Sequence, residues 1–136
     1  MKSWMTRLAG MALTLTALTV YGVADAASMP DIETIMKKVN SGKGLFKALD
    51  KDLKAPNVDW DACAKKSQEI LDLVSALGKN EPPKGDKKSW EKMTKDYTAN
   101  AKALKEACDK KDKSAAMNAA RKMGGSCKAC HDAHKG

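Results

Sequence analysis

The residues of this chain best suited to chemistry lie in the run CKACH, at positions 127–131. Cys127 and Cys130 are separated by two residues and followed directly by His131, a C-x-x-C-H pattern typical of covalent haem attachment. In that chemistry the two thiols form thioethers to the haem vinyl groups, and the imidazole binds the iron. Because residues three apart share one face of a helix, the pattern predicts one haem c at Cys127 and Cys130, with His131 as proximal ligand.

Three other uses of these cysteines remain open. They could act as a dithiol, form a disulfide within a structural bundle that holds no haem, or supply half of a zinc site. A structural zinc site needs four ligands, whereas His134 is the only other histidine and the chain has no second C-x-x-C. The residue count therefore favours haem over zinc.

The N-terminus has the composition of an export signal. Lys2 and Arg7 precede an apolar run at residues 8–23, and the small-residue sequence ADA follows at 24–26. This order of basic, apolar and small residues predicts a signal peptide cleaved after Ala26, with an uncleaved anchor as the alternative. Export to the periplasm agrees with the C-x-x-C-H pattern, because covalent haem attachment by this motif is an extracytoplasmic chemistry.

Residues 27–136 would then form the mature protein, and these 110 residues suffice for one domain with one core. The formal net charge of +8 falls to +7 when the signal takes away two cations and one anion. No remaining run is apolar enough to span a bilayer. The chain has no phosphate-binding glycine loop, no H-E-x-x-H and no G-x-S-x-G, so we predict a protein that is not an enzyme.

Apolar residues recur at spacings of three and four throughout the mature chain, which predicts amphipathic helices. Four are expected, at about 30–53, 59–78, 87–110 and from 113 to near the C-terminus. Gly42 and Gly44 weaken the first by roughly 1 kcal/mol each and are expected at a tight contact or a kink. Asp59 is the expected N-cap of the second helix and Ser114 that of the fourth. Short connections and the absence of strand patterns predict an all-α, antiparallel four-helix bundle.

This arrangement resembles the class II cytochromes c, the group of cytochrome c prime and its six-coordinate, Met-ligated relatives. The resemblance covers residues 31–135 and is most specific at GSCKACH (125–131), at Lys135, where the family usually has Arg or Lys, and at IMKK (35–38). It implies a haem held near one end of the bundle. Two departures stand out: His134 replaces a common aromatic residue, and the family's usual arginine in the first helix has no counterpart.

In the Met-ligated relatives, a methionine at the position matching Met36 is the distal ligand. The start of the first helix and the end of the fourth also share one end of an up-down-up-down bundle. If Met36 is only a core residue, the iron would be five-coordinate and could bind nitric oxide or carbon monoxide. Trp90, Met93 and Tyr97 are expected to line the haem pocket, and His134 to lie at the surface or beside a propionate.

Cys63 and Cys108 lie on the apolar faces of the second and third predicted helices. Antiparallel pairing brings the start of one helix beside the end of the other, away from the haem. We therefore predict a disulfide between them, given an oxidising compartment. Two buried reduced thiols are the alternative.

The sequence as a whole predicts a periplasmic mono-haem cytochrome that carries single electrons between redox partner proteins. Lysines near the haem edge would favour an acidic partner. Nucleic acid is not expected as a partner because the chain is exported and lacks interleaved aromatic residues. The protein would be a monomer or a homodimer. Binding of nitric oxide or carbon monoxide at an open sixth site remains the alternative function.

Overall fold

The computed structural model describes residues 28–136, which form five α-helices and no strand. In chain order they are α1 (Ile32–Asn40), α2 (Leu45–Lys54), α3 (Trp60–Leu77), α4 (Lys87–Asp109) and α5 (Lys113–His134). Since α1 and α2 together take the place of the first predicted helix, the all-α four-helix bundle is confirmed. The predicted signal peptide at residues 1–26 lies outside the described residues. Within residues 28–136, no helix combines the length and the apolarity needed to cross a membrane.

Aspartates cap the helices at their N-termini, with one exception. The caps are Asp31, Asp59, Asp86 and Asp112, and each carboxylate accepts from the main-chain N–H three residues later, at 2.7 to 3.0 Å. The predicted cap at Asp59 is confirmed, whereas the prediction of Ser114 is wrong because Asp112 fills that role. The exception is α2, which follows Gly44 and has no side-chain cap. The start of α2 is thus the point at which the helix interrupted after α1 continues.

The interruption between α1 and α2 spans residues 41–44, so the prediction of one continuous first helix is wrong. The Gly44 N–H donates to the Ser41 carbonyl at 2.8 Å and closes a turn. A Cβ on Gly44 would lie 2.5 Å from the Val39 carbonyl oxygen, so glycine is required for this close backbone approach. A Cβ on Gly42 would meet nothing within 4 Å. The tight contact expected at these glycines therefore exists at Gly44 alone.

A disulfide joins Cys63, near the start of α3, to Cys108, near the end of α4, with 5.7 Å between their Cα atoms. Both residues are buried. We call this part of the bundle, with the α2–α3 and α4–α5 connections, the disulfide end. The other part is the open end, which contains the start of α1, the α3–α4 loop and the end of α5.

Candidate haem site

At the open end, α1 stands away from the last helix. The backbone of α2 packs against α5, but no Cα atom of α1 lies within 8 Å of a Cα atom in α4 or α5. At the start of α2, the Phe46 ring lies close to α5, at 3.9 Å from a Cβ built on Gly124. The chain therefore diverges from α5 at the interruption at residues 41–44, and a cleft lies between α1 and α5.

Two adjoining cavities occupy this cleft. The first lobe, of about 110 Å³, is lined by Met36, Tyr97, Cys127, Cys130 and His131 among others. The second lobe, of about 430 Å³, is lined by Met36, Cys130 and His131 together with the α3–α4 loop and the C-terminus. Because three residues line both lobes, the two lobes adjoin each other between α1 and α5.

Cys127 and Cys130 lie side by side on the α5 wall of the first lobe. Both are half-buried, and neither is in a disulfide. Burial raises the pKa of each thiol above its usual value, so both are protonated at neutral pH. The exposed residue His131 follows directly and contributes to the wall of both lobes. The last turns of α5 thus bring two thiols and an imidazole to one side of the cleft.

Met36 lies on the opposite side of the cleft, on α1, and is half-buried. Its sulfur accepts a hydrogen bond from the Asn40 side-chain amide at 3.3 Å. The Asn40 side-chain oxygen accepts in turn from the Tyr97 hydroxyl at 3.1 Å. Burial raises the pKa of Tyr97 to about 12, so this hydroxyl remains a donor at neutral pH. The three side chains link α1 to α4 across the edge of the first lobe.

The residues predicted to line the haem pocket divide between the two lobes. Met93 and Tyr97 line the first, whereas Trp90 lines only the second. The Trp90 indole N–H donates to the Asn80 carbonyl oxygen at 2.8 Å. This hydrogen bond ties α4 to the start of the α3–α4 loop. The α3–α4 loop therefore fixes the position of the Trp90 ring.

His134 is buried, so its predicted place at the surface is wrong. It lines the second lobe, and a place beside a propionate stays a prediction. Its Nδ1 lies 2.9 Å from the Lys84 carbonyl oxygen, and its Nε2 lies 3.1 Å from the Ser89 hydroxyl. Since a carbonyl only accepts, Nδ1–H donates to Lys84, and Nε2 shares a hydrogen bond with the Ser89 hydroxyl. The ring also meets Trp90 edge-on, with 5.4 Å between centroids. The helical register indicates that His134 faces inward, because it follows Cys127 by seven residues, or two turns.

Gly85 completes the contact between the α3–α4 loop and α5. Its φ is +84°, in the left-handed region that favours glycine. A Cβ at this position would lie 2.5 Å from the Ala133 carbonyl oxygen. The loop thus reaches the last turn of α5 with its backbone, which places the buried His134 contacts one turn after His131.

The donor set of the cleft fits a covalently bound haem c. Two unpaired thiols stand one turn apart, an imidazole follows them, and a thioether lies across an interior that is mostly apolar. Within residues 28–136, no group of three or more His, Cys, Asp or Glu side chains is placed to hold a bare metal ion. The zinc alternative therefore gains no ligand set from the described residues.

The family model for cytochrome C' matches residues 85–135. This segment begins in the α3–α4 loop and includes α4, α5 and the C-x-x-C-H pattern, but not Met36. No curated protein and no solved structure matches the chain at a significant level. The family implies a covalently bound c-type haem, in agreement with the donors in the cleft. The match and the four-helix fold are consistent with the class II cytochrome c family.

Proposed function

We propose that this protein is an exported mono-haem cytochrome that carries single electrons between redox proteins. One observation supports this most: Cys127, Cys130 and His131 on α5 share a cleft with Met36 on α1. The match to the cytochrome C' family model supports a c-type cytochrome, and therefore an electron carrier or ligand binder. The second axial donor is the feature that favours electron transfer over gas binding.

In this proposal each donor has one role. Cys127 and Cys130 would hold the haem through thioethers, and His131 on α5 and Met36 on α1 would supply the donors to its iron. When bound, the haem supplies one-electron chemistry between the ferric and ferrous states. A neutral thioether donor would raise the reduction potential relative to stronger donors. The apolar lining of the first lobe would act in the same direction, because apolar surroundings disfavour the more highly charged ferric centre.

The proposed setting is the periplasm, reached through the predicted signal peptide at residues 1–26, and the proposed partner is an acidic redox protein. Exposed lysines lie on the helices that form the cleft, and Lys135 lines its second lobe. Several are paired with neighbouring carboxylates, as in Lys37–Glu33, Lys87–Glu81, Lys92–Asp96 and Lys128–Asp132. Such exposed pairs reduce the local positive charge only in part, so association with an acidic partner should weaken as salt is raised.

Absorption spectra of the purified holoprotein test the proposal. Met36 ligation predicts a low-spin spectrum in both oxidation states and a weak sulfur-to-iron band near the red end in the ferric state. Met36→Ala should remove this band and allow carbon monoxide to bind the ferrous protein. Met93→Ala is the matched control, because Met93 lines the same lobe from α4 and should leave the band in place. A high-spin wild type that takes up carbon monoxide readily would instead support the gas-binding alternative.

A further inference from the structure

Three side chains form a directed hydrogen-bond chain that ends on the sulfur proposed to bind iron. Asn40 follows Met36 by four residues, so both lie on one face of α1. The Asn40 amide N–H contacts the Met36 sulfur at 3.3 Å, and the Tyr97 hydroxyl contacts the Asn40 oxygen at 3.1 Å. All three residues line the first lobe. The chain therefore connects α4 to the inner face of α1 within the cleft.

The direction of the chain follows from the chemistry of its members. A thioether sulfur has no proton and only accepts hydrogen bonds. If the amide were reversed, its oxygen would face the Met36 sulfur and two acceptors would be in contact. The protonated Tyr97 hydroxyl, which donates to the amide oxygen, stabilises the orientation in which the NH₂ group points at the sulfur. Tyr97 thus sets the orientation of Asn40.

A thioether sulfur has two lone pairs, and each can have a different partner. One lone pair of Met36 accepts from Asn40, which leaves the second available for a metal. A donor at the ligand atom draws electron density from it, so the sulfur donates less to iron. This weakening costs the ferric state more than the ferrous state, because the ferric iron depends more on electron donation.

We propose that Asn40 is a positioning residue that holds the Met36 sulfur toward the haem and raises the reduction potential, with Tyr97 orienting its amide. This inference rests on the proposed role of Met36 as distal ligand. Asn40 donates to the Met36 sulfur on α1 and forms no hydrogen bond with Cys127, Cys130 or His131 on α5. Its effect is therefore on the strength and geometry of one axial bond.

Asn80 provides a matched comparison at the same end of the bundle. Its side-chain amide donates to the carbonyl oxygens of Pro30 and Ala76, at 3.2 and 3.0 Å. It therefore ties the start of α1 to the end of α3, as Asn40 ties the end of α1 to α4. Asn80 lines neither lobe of the cleft. A variant at Asn80 loses comparable hydrogen bonds without changing the surroundings of the sulfur.

The experiment measures the reduction potential and the ferric sulfur-to-iron band of four holoprotein variants: Asn40→Leu, Asn40→Asp, Tyr97→Phe and Asn80→Leu. Asn40→Leu should shift the equilibrium toward the ferric state by roughly tenfold, which corresponds to about 59 mV for one electron. Asn40→Asp should shift it further, because a carboxylate cannot donate and places negative charge beside the sulfur. Tyr97→Phe should give a smaller shift of the same sign, and Asn80→Leu none.

The spectra of wild type and Met36→Ala are recorded first, so that failure of the proposed function is seen separately. Without a Met36-dependent band in wild type, Met36 is not a ligand and the role of Asn40 falls with it. With that band present, an unchanged potential in both Asn40→Leu and Tyr97→Phe would overturn the proposal. An equal shift in Asn80→Leu would also overturn it, since the effect would then come from general loosening of α1. Tyr97→Phe removes only one oxygen atom, which keeps the test available if Asn40→Leu does not fold.

Discussion

At the disulfide end of the bundle, Cys63 and Cys108 are joined and at most 1% exposed, and α2 to α5 pack directly around them. At the open end, Cys127 and Cys130 are unpaired and half-buried, His131 is exposed, and α1 stands apart from α5. The polypeptide therefore completes its core at one end only. The other end presents donors around a cleft that the chain's own side chains do not fill.

Side-chain size accounts for part of this difference. In its first half, α5 buries small residues, Ala116, Ala119 and Ala120, which allow a close approach to its neighbours. Beyond them Phe46 of α2 lies beside Gly124, with room for a Cβ at that position. The turn at residues 41–44 then directs α1 away, and large side chains such as Trp90 and Tyr97 line the remaining space. The cleft thus results from both helix geometry and residue size.

The largest expected effect comes from removing the haem attachment. The double variant Cys127→Ser/Cys130→Ser should have no covalent haem, because neither thioether can form. Its intact mass should equal that of the processed polypeptide, and the open end should lose protection from hydrogen exchange while the disulfide end keeps it. The double variant Cys63→Ala/Cys108→Ala is the control and should retain the haem mass. Covalent haem on the serine variant would contradict the assignment.

Removal of the disulfide tests the other end of the bundle. Cys63→Ala/Cys108→Ala should lower the free energy of unfolding by roughly 2 to 4 kcal/mol, because the crosslink closes a long loop in the unfolded chain. The haem absorption spectrum should remain that of wild type, since the disulfide lies at the opposite end from the cleft. Urea unfolding monitored by circular dichroism gives the first quantity, and a changed axial-ligand band would show that the two ends are coupled.

Variants at His134 test how much the protein's own side chains stabilise the border of the cleft. His134→Leu should cost about 1 to 3 kcal/mol, because the Ser89 hydroxyl and the Lys84 carbonyl lose their buried partner. Ser89→Ala removes one of the two bonds and should cost less. Both values follow from urea unfolding of the holoprotein. Equal stability of His134→Leu and wild type would mean that water replaces the ring without loss.

The smallest expected effect concerns the turn that separates the two ends. Gly44→Ala should destabilise the protein by ~1 kcal/mol or more, because its Cβ would press on the Val39 carbonyl. Gly42→Ala is the matched control, two residues away in the same turn with open space around it, and should be close to neutral. Thermal unfolding of the two variants side by side measures the difference. Similar melting temperatures would show that the turn relaxes freely.

Much of the architecture could be predicted because it depends on local rules. Apolar spacing gave the bounds of α3, α4 and α5 to within one or two residues, and Asp59 was identified as a cap from its residue type and place. The cap at Asp112 was missed because Ser114 is also a good capping residue nearby. The two glycines predict a tight contact or a kink but not a full break at residues 41–44, since the apolar stripe continues through it and the partner of Gly44, Val39, depends on the fold.

The candidate site also has some features that follow from the sequence and others that depend on the tertiary structure. The order and spacing of Cys127, Cys130 and His131 are covalent properties of the chain, so the sequence by itself determined the class of cofactor chemistry. The tertiary structure decided which groups face that motif, because their approach depends on how α1 leaves the bundle. It buried His134 against the α3–α4 loop and brought Asn40 and Tyr97 into contact on the side of Met36. Contacts between residues far apart in sequence arise only when helices pack, so no local pattern contains them.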